Sequence, residues 1–125
     1  GVSIGLSCTA RSVVASSKAA GISWDGVLSC EFLPAYKPER AAYLAAPRLI
    51  GCAPHETIMA ACHADQDLDP AMQAGLAAAY VDRPAEYGKA REPALPGRRQ
   101  YMVEALDYAG FAKQLTDPDY AKAAE

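Results

Sequence analysis

The sequence has no apolar run approaching the ~20 residues that a membrane-crossing helix needs; stretches such as residues 2–6 (VSIGL) and 57–62 (TIMAAC) are far shorter. It has no block of like charge either. Twelve basic and 15 acidic residues are scattered to a net charge of −3, which excludes a polybasic nucleic-acid arm. No basic, then apolar, then small-residue leader opens it. None of the four cysteines stands in a CxxC pair, which removes the usual framework of a zinc knuckle. Internal repeats and low-complexity blocks are also missing. What remains is a chain of 125 residues, 51% hydrophobic and 22% charged, enough for one compact domain and too short for two. Such apolar content excludes a disordered tail and makes disulfide staples unnecessary. Cys8, Cys30, Cys52 and Cys62 therefore read as reduced, mostly buried thiols of a cytoplasmic protein.

Hydrophobic period and turn residues give the order of elements. Residues 2–6 read as a strand ending in the polar turn Ser7-Cys8-Thr9. Residues 10–20 have helical composition and stop at Gly21, a suitable C-terminal glycine. Asp25-Gly26 turns into a brief strand at 27–30, and a loop at 31–38 follows. Pro38 suits the first turn of a helix over 39–50 that ends at Gly51. Pro47 inside that helix removes a backbone donor, so a kink or a shortening is expected there. Residues 57–62 form a continuous apolar run of the kind found in buried parallel strands. A polar acidic loop at 63–69, a small helix at 70–74 and a strand at 76–81 come next. Residues 82–97 are a Pro- and charge-rich loop, and 101–115 hold a short strand or an amphipathic helix.

Strands alternating with helices predict an α/β fold with a parallel sheet. In such sheets chemistry gathers at the carboxyl ends of the strands. Three segments fall there: Ser7-Cys8-Thr9, Tyr36-Lys37-Pro38 and residues 62–67. Ser7 is able to bind an oxyanion or to cap a helix. Lys37 before Pro38 offers a cation on a constrained backbone, although a lone lysine is ordinarily a surface residue. Asp65, Asp67 and Asp69 do not form a calcium loop, because Pro70 and Leu76 occupy the positions that need Gly and a bidentate Glu. His63 beside Cys62 has the chemistry of a metal ligand, but no second ligand pair is spaced to help it. His55 is expected to face solvent.

Taken in order, these residues resemble the haloacid dehalogenase superfamily, and more narrowly its type II 2-haloacid dehalogenases. Leu6-Ser7 is similar to the family's second motif. Ala35-Tyr36-Lys37-Pro38-Glu39 is similar to its Phe/Tyr-Lys-Pro-Asp-Pro motif, with Trp24-Asp25, Leu28-Ser29 and Glu31 leading to it and Tyr43-Leu44 following. Met59-Ala60-Ala61-Cys62-His63 with Asp67-Leu68 resembles the fourth motif. Ala74-Gly75-Leu76, Tyr80-Val81 and Arg83-Pro84-Ala85-Glu86-Tyr87-Gly88 continue it in register.

The resemblance implies a Rossmann-like parallel sheet and a hydrolase that removes halide from a 2-haloalkanoic acid. An aspartate attacks the carbon bearing the halogen, and water then hydrolyses the resulting ester. By position, Lys37 would hold the nucleophile ionised, Ser7 would bind the substrate carboxylate, and Asp67 would orient Lys37 and the water. Cys8 and Thr9 stand where the family has the Asn-Gly that cradles halide. His63 lies one residue upstream of the family's histidine, so the loop carries an insertion. These three are the implied substrate-binding positions. Asp67 lies eight residues before Gly75, the family spacing, whereas a register on Asp65 and Asp69 keeps an acidic pair and loses that spacing. The Asp67 register puts His63, not an acid, four positions upstream, which disfavours a magnesium site, so no metal and no cofactor are expected.

The family's nucleophilic aspartate, in an Asp-x-Tyr-Gly-Thr motif on a central first strand, and its helical cap have no counterpart among these residues. Residues 1–115 are accordingly expected to be the C-terminal part of such a core, with 116–125 a polar tail. The expected ligand is a small 2-haloacid, with neither nucleic acid nor membrane as partner, in a chain for which a homodimer is one expected assembly and which needs the N-terminal portion for a complete site. A magnesium-dependent phosphatase of the superfamily and a non-catalytic interaction module are the alternatives. The strands at 2–6 and 57–62 are expected to face a gap and to leave the isolated chain marginally stable.

Overall fold

A computed structural model describes residues 1–117 and 119. Among these residues five short strands and four helices alternate as far as the fourth strand, after which a fifth strand and the last helix follow: β1 (Ile4–Ser7), α1 (Ala10–Ala20), β2 (Gly26–Ser29), α2 (Arg40–Ile50), β3 (Ile58–Ala61), α3 (Asp69–Gln73), β4 (Ala77–Val81), β5 (Val103–Ala105) and α4 (Tyr108–Thr116). Every strand pair is parallel. β1 pairs with β2, Ser7 opposite Ser29, and separately β3, β4 and β5 form a three-stranded sheet in that order. The parallel α/β architecture expected of the sequence is therefore present, as two sheet pieces.

Alternation along the strands puts helices on both faces. Leu6 of β1 and Met59 of β3 pack into one apolar cluster with Tyr43 and Leu44 of α2 and Ala71 of α3. On the other face, Ala60 and Ala79 pack with Val103 and with Phe111 of α4. Gly5 of β1 faces α1, and a Cβ there would lie 2.9 Å from the Trp24 ring, so the close approach of the indole requires glycine. The Trp24 indole N–H donates to Ser17 Oγ of α1 at 2.6 Å, fixing that approach.

Local chemistry explains most element ends. Thr9 caps α1 by accepting from the Ser12 N–H, and Gly21 closes it in the left-handed region at φ 69°. α2 begins at Arg40 with Glu39 at its N-cap, so Pro38 precedes the first turn and is not part of it. Pro47 is buried within α2 and the helix runs on to Ile50; the missing donor does not shorten it. Residues 101–115 hold both a strand and a helix, because β5 and α4 are separated by a turn at Leu106 and Asp107.

Two expectations need correction. Residues 64–68 are not a loop but a π-helical turn, Ala64–Leu68, in which the Leu68 N–H reaches the His63 carbonyl five residues back at 3.1 Å. A π turn absorbs one extra residue without breaking the helix that follows, as the insertion implied by the resemblance would require. β3 is not fully buried either: all four of its residues are only partly covered, whereas β4 beside it has three buried. Its edge away from β4 pairs with no strand among the described residues. The polar tail expected at 116–125 lies, beyond Asp117 and Asp119, outside the described residues.

Candidate functional site

The carboxyl ends of β1 and β3 and the segments after β2, β3 and β4 converge on a cavity of about 210 Å³ whose lining includes Leu6, Lys37, Asp67, His63, Arg83 and Glu86. Lys37 is held in a tight turn in which the Glu39 N–H bonds the Tyr36 carbonyl at 2.8 Å. The Lys37–Pro38 peptide is cis. From there the ammonium donates to Asp67 Oδ1 at 2.7 Å, with the two side chains 22% and 13% exposed. Asp67 owes its position to the π turn. That turn is tied to α2 by the buried Tyr43, whose hydroxyl donates to the Gln66 carbonyl. Burial, and then the nearby Asp67 charge, push the Tyr43 phenol up to about 12, so it remains a neutral donor.

Across the cavity stands a second group. The Cys62 thiol donates to Glu86 Oε2 at 3.2 Å, and His63 Nε2 lies 3.0 Å from Glu86 Oε1. Burial and the Glu86 carboxylate push the Cys62 thiol up to about 11. For Glu86, burial opposes ionisation, but bonds from His63 and Cys62 and the charge of Arg83 outweigh it and lower its carboxyl. Arg83 Nη1 is 3.6 Å from the same carboxylate.

Arg83 and Glu86 are placed by a buried anchor just upstream. Asp82, at the end of β4, accepts from the Arg83 N–H at 3.0 Å, the Ala94 N–H at 2.9 Å and the Tyr80 hydroxyl at 3.0 Å. The Arg91 guanidinium closes the set, and with it the loop at 82–94. Chiefly through Arg91, and against its burial, the Asp82 carboxyl is held well below the usual carboxylate range.

Of the residues singled out from sequence, Lys37, Asp67 and His63 meet at the cavity. The competing acids are elsewhere: Asp69 pairs with Arg98 at 3.0 Å, and Asp65 is exposed. Ser7, Cys8 and Thr9 are not among the cavity's lining residues. Cys8 packs against the apolar cluster of Cys30 and Tyr43, Thr9 is the cap of α1, and Ser7 Oγ accepts weakly from the Thr9 N–H at 3.4 Å. Glu86, Arg83 and Tyr108 line the cavity without having been assigned roles. The first two lay in a motif that was legible; Tyr108 carried no signal.

A parallel α/β sheet with a lysine–aspartate pair and a cavity at the carboxyl ends of its strands defines a Rossmann-like domain with a charged site in the usual place. No protein-family model matches the sequence, and comparison with curated proteins gives no match. Solved structures do match. The L-2-haloacid dehalogenase PA0810 superposes with TM-score 0.77 at 31% identity over 90% of this chain and 50% of that one. The defluorinating L-2-haloacid dehalogenase Rha0230 gives TM-score 0.69 at 34% identity over 85% of this chain and 43% of that one. A HAD phosphatase from Thermococcus onnurineus shares the fold, with TM-score 0.62 at 23% identity over 82% of this chain and 44% of that one. The chain belongs to the haloacid dehalogenase superfamily and is like its type II dehalogenases. It spans about half the length of these structures.

Proposed function

We propose that the chain is the C-terminal part of a 2-haloacid dehalogenase-like hydrolase. The observation that carries this reading is the Lys37–Asp67 contact of 2.7 Å at the cavity. It joins the two motif residues, 30 positions apart, whose partnership the resemblance requires. In the proposed reaction an aspartate carboxylate, which these residues do not supply, attacks the carbon bearing halogen. The halide leaves with the bonding pair, and an ester remains. Water then attacks the ester, freeing a 2-hydroxy acid and the carboxylate. Lys37 would stabilise the ionised nucleophile in a site partly shielded from water, and Asp67 would fix the ammonium and the attacking water. Ser7 would hold the substrate carboxylate, which needs its hydroxyl to turn from its local contact with Thr9 toward the cavity.

The reading includes a cytoplasmic location, a homodimeric assembly and a small 2-haloacid as ligand. Among the described residues no helix is long and apolar enough to cross a membrane. The test is halide release from 2-chloropropionate by the protein with its N-terminal portion, with and without chelator. Release that chelator leaves intact and Lys37→Met abolishes is the expected result. Turnover of a phosphate ester that chelator abolishes, with no halide release, would overturn it in favour of a phosphatase.

A further inference from the structure

We propose that Cys62, His63 and Glu86 form a binding site for a borderline divalent cation of the zinc class. The inference does not rest on the dehalogenase reading. One donor atom from each residue lies within 4.8 Å of the other two. Ligands at 2.0–2.3 Å from a tetrahedral ion stand about 3.3–3.8 Å from one another. Cys62 Sγ and Glu86 Oε2 are 3.2 Å apart, and His63 Nε2 and Glu86 Oε1 are 3.0 Å apart. The two contacts use different oxygens of the one carboxylate, and with a single oxygen of Glu86 the three donors still lie within 4.8 Å of one another, about an ångström from the spacing an ion needs.

The backbone holds these donors in place. Cys62 follows β3 directly, and His63 is the N-cap of the π turn. Glu86 sits in a turn after β4 closed by its own N–H on the Arg83 carbonyl at 3.1 Å. Pairing of β3 with β4, Ala61 opposite Tyr80, brings the two segments side by side. The sequence alone could not supply this third ligand, because Glu86 is 24 residues from Cys62.

The donor chemistry selects the ion. One thiolate sulfur, one imidazole nitrogen and one carboxylate oxygen suit zinc, cobalt or nickel; magnesium and calcium take oxygen sets. Charge also balances, since a thiolate and a carboxylate neutralise a divalent ion. Binding would release the thiol proton to solvent and leave the His63 proton on Nδ1. Arg83 must give up its 3.6 Å contact with Glu86, which its side chain, 54% exposed, is free to do. The Tyr87 hydroxyl, 3.4 Å from His63 Nε2, must also move aside. Lys37 does not compete, being engaged by Asp67. Three protein ligands leave a fourth position open toward the cavity.

Titration of the 125-residue chain with Co²⁺ tests the site. The expected result is a thiolate-to-cobalt charge-transfer band that saturates at one equivalent, is displaced by Zn²⁺ and is not produced by Mg²⁺. Cys62→Ser should abolish the band. His63→Ala and Glu86→Gln should each weaken Zn²⁺ binding by calorimetry by at least the ~10-fold that even outer-shell changes cost. Cys52→Ser, which alters another half-exposed thiol, should change neither readout. Circular dichroism establishes that each variant keeps its fold; if Cys62→Ser does not, the near-isosteric Glu86→Gln decides alone. A band that survives Cys62→Ser, affinities unchanged in both His63→Ala and Glu86→Gln, or no stoichiometric binding by the parent chain would overturn the proposal.

Discussion

Breaking the Lys37–Asp67 pair should reveal two groups that depend on each other more than either depends on its surroundings. At 2.7 Å their Coulomb attraction is about 6 kcal/mol for an effective dielectric near 20. Desolvation opposes it, because the side chains are only 22% and 13% exposed and each ion gives up several kcal/mol of hydration on entering such a site. The surplus is expected to be a coupling of about 1–3 kcal/mol, the range typical of contacting polar residues. Lys37→Met preserves most of the stem's volume but strands the Asp67 carboxylate beside the buried Tyr43, whose phenol already feels that charge. Asp67→Asn strands the ammonium. Making both changes removes both charges together, so the double variant should be less destabilised than the two single losses combined.

The assay is urea unfolding of the parent, both single variants and the double variant, followed by far-ultraviolet circular dichroism. With a slope of about 1–3 kcal/mol per molar urea, a coupling of this size moves the midpoint by roughly 1 M. The measurement is repeated at high salt, where a surface pair would fade and this partly covered one should persist. Single-variant losses that add to the double-variant loss within about 0.5 kcal/mol would refute the reasoning. The pair would then be a solvated contact with no energetic claim on the site.

Alkylation of Cys62, mapped by mass spectrometry, should rise with pH toward a midpoint near 11, above an ordinary cysteine, and Glu86→Gln should lower that midpoint. Because the folded-state value is raised, the corresponding stability is fully present below the unfolded thiol's value of about 8.5 and is lost as pH climbs through the folded one. Asp82→Ala removes the acceptor for Ala94, Arg83 and Tyr80, and thermal unfolding should show a loss of about 2–4 kcal/mol. The stabilising effect of the Asp82 carboxylate itself, whose ionisation is favoured by folding, should be present above pH ~4 and fade only in stronger acid. Gly5→Ala drives a methyl into the Trp24 ring and Val13, and should cost about 1–3 kcal/mol by the same unfolding measurement.

The alternation of strands and helices was legible because each element writes its own period into the sequence. α1 ends at Ala20 because Gly21 supplies the left-handed residue, and that signal needs no tertiary context. The partners Lys37 and Asp67 were legible through motif order, and the structure brings them together. The π turn was not legible: Ala64-Asp65-Gln66-Asp67 is polar and acidic, the composition of a loop, and only the bond from Leu68 to His63 makes it helical. Neither was the partial burial of β3, since an apolar run states what a strand prefers to pack against and not whether a neighbour is there. Glu86 was missed as a partner of Cys62 and His63 because the contact is made by strand pairing, which brings together positions that no local pattern links.

The partial exposure of β3 and the location of the cavity have one cause. A parallel strand with a neighbour on each side is covered on both faces and both edges. β3 has β4 on one side, while β1, whose Leu6 shares its apolar cluster, forms no ladder with it. The same opening is where Leu6 and Met59 line the cavity together with Lys37, Asp67 and Glu86. A strand laid between β1 and β3 would therefore complete the sheet and form the cavity floor in a single step. The resemblance places the nucleophilic aspartate on such a strand. On the proposed reading, stability and chemistry are then not separable. A substitution that weakens seating of that strand would lower activity even when it lies far from Lys37, and the sheet and the site would have to be repaired together.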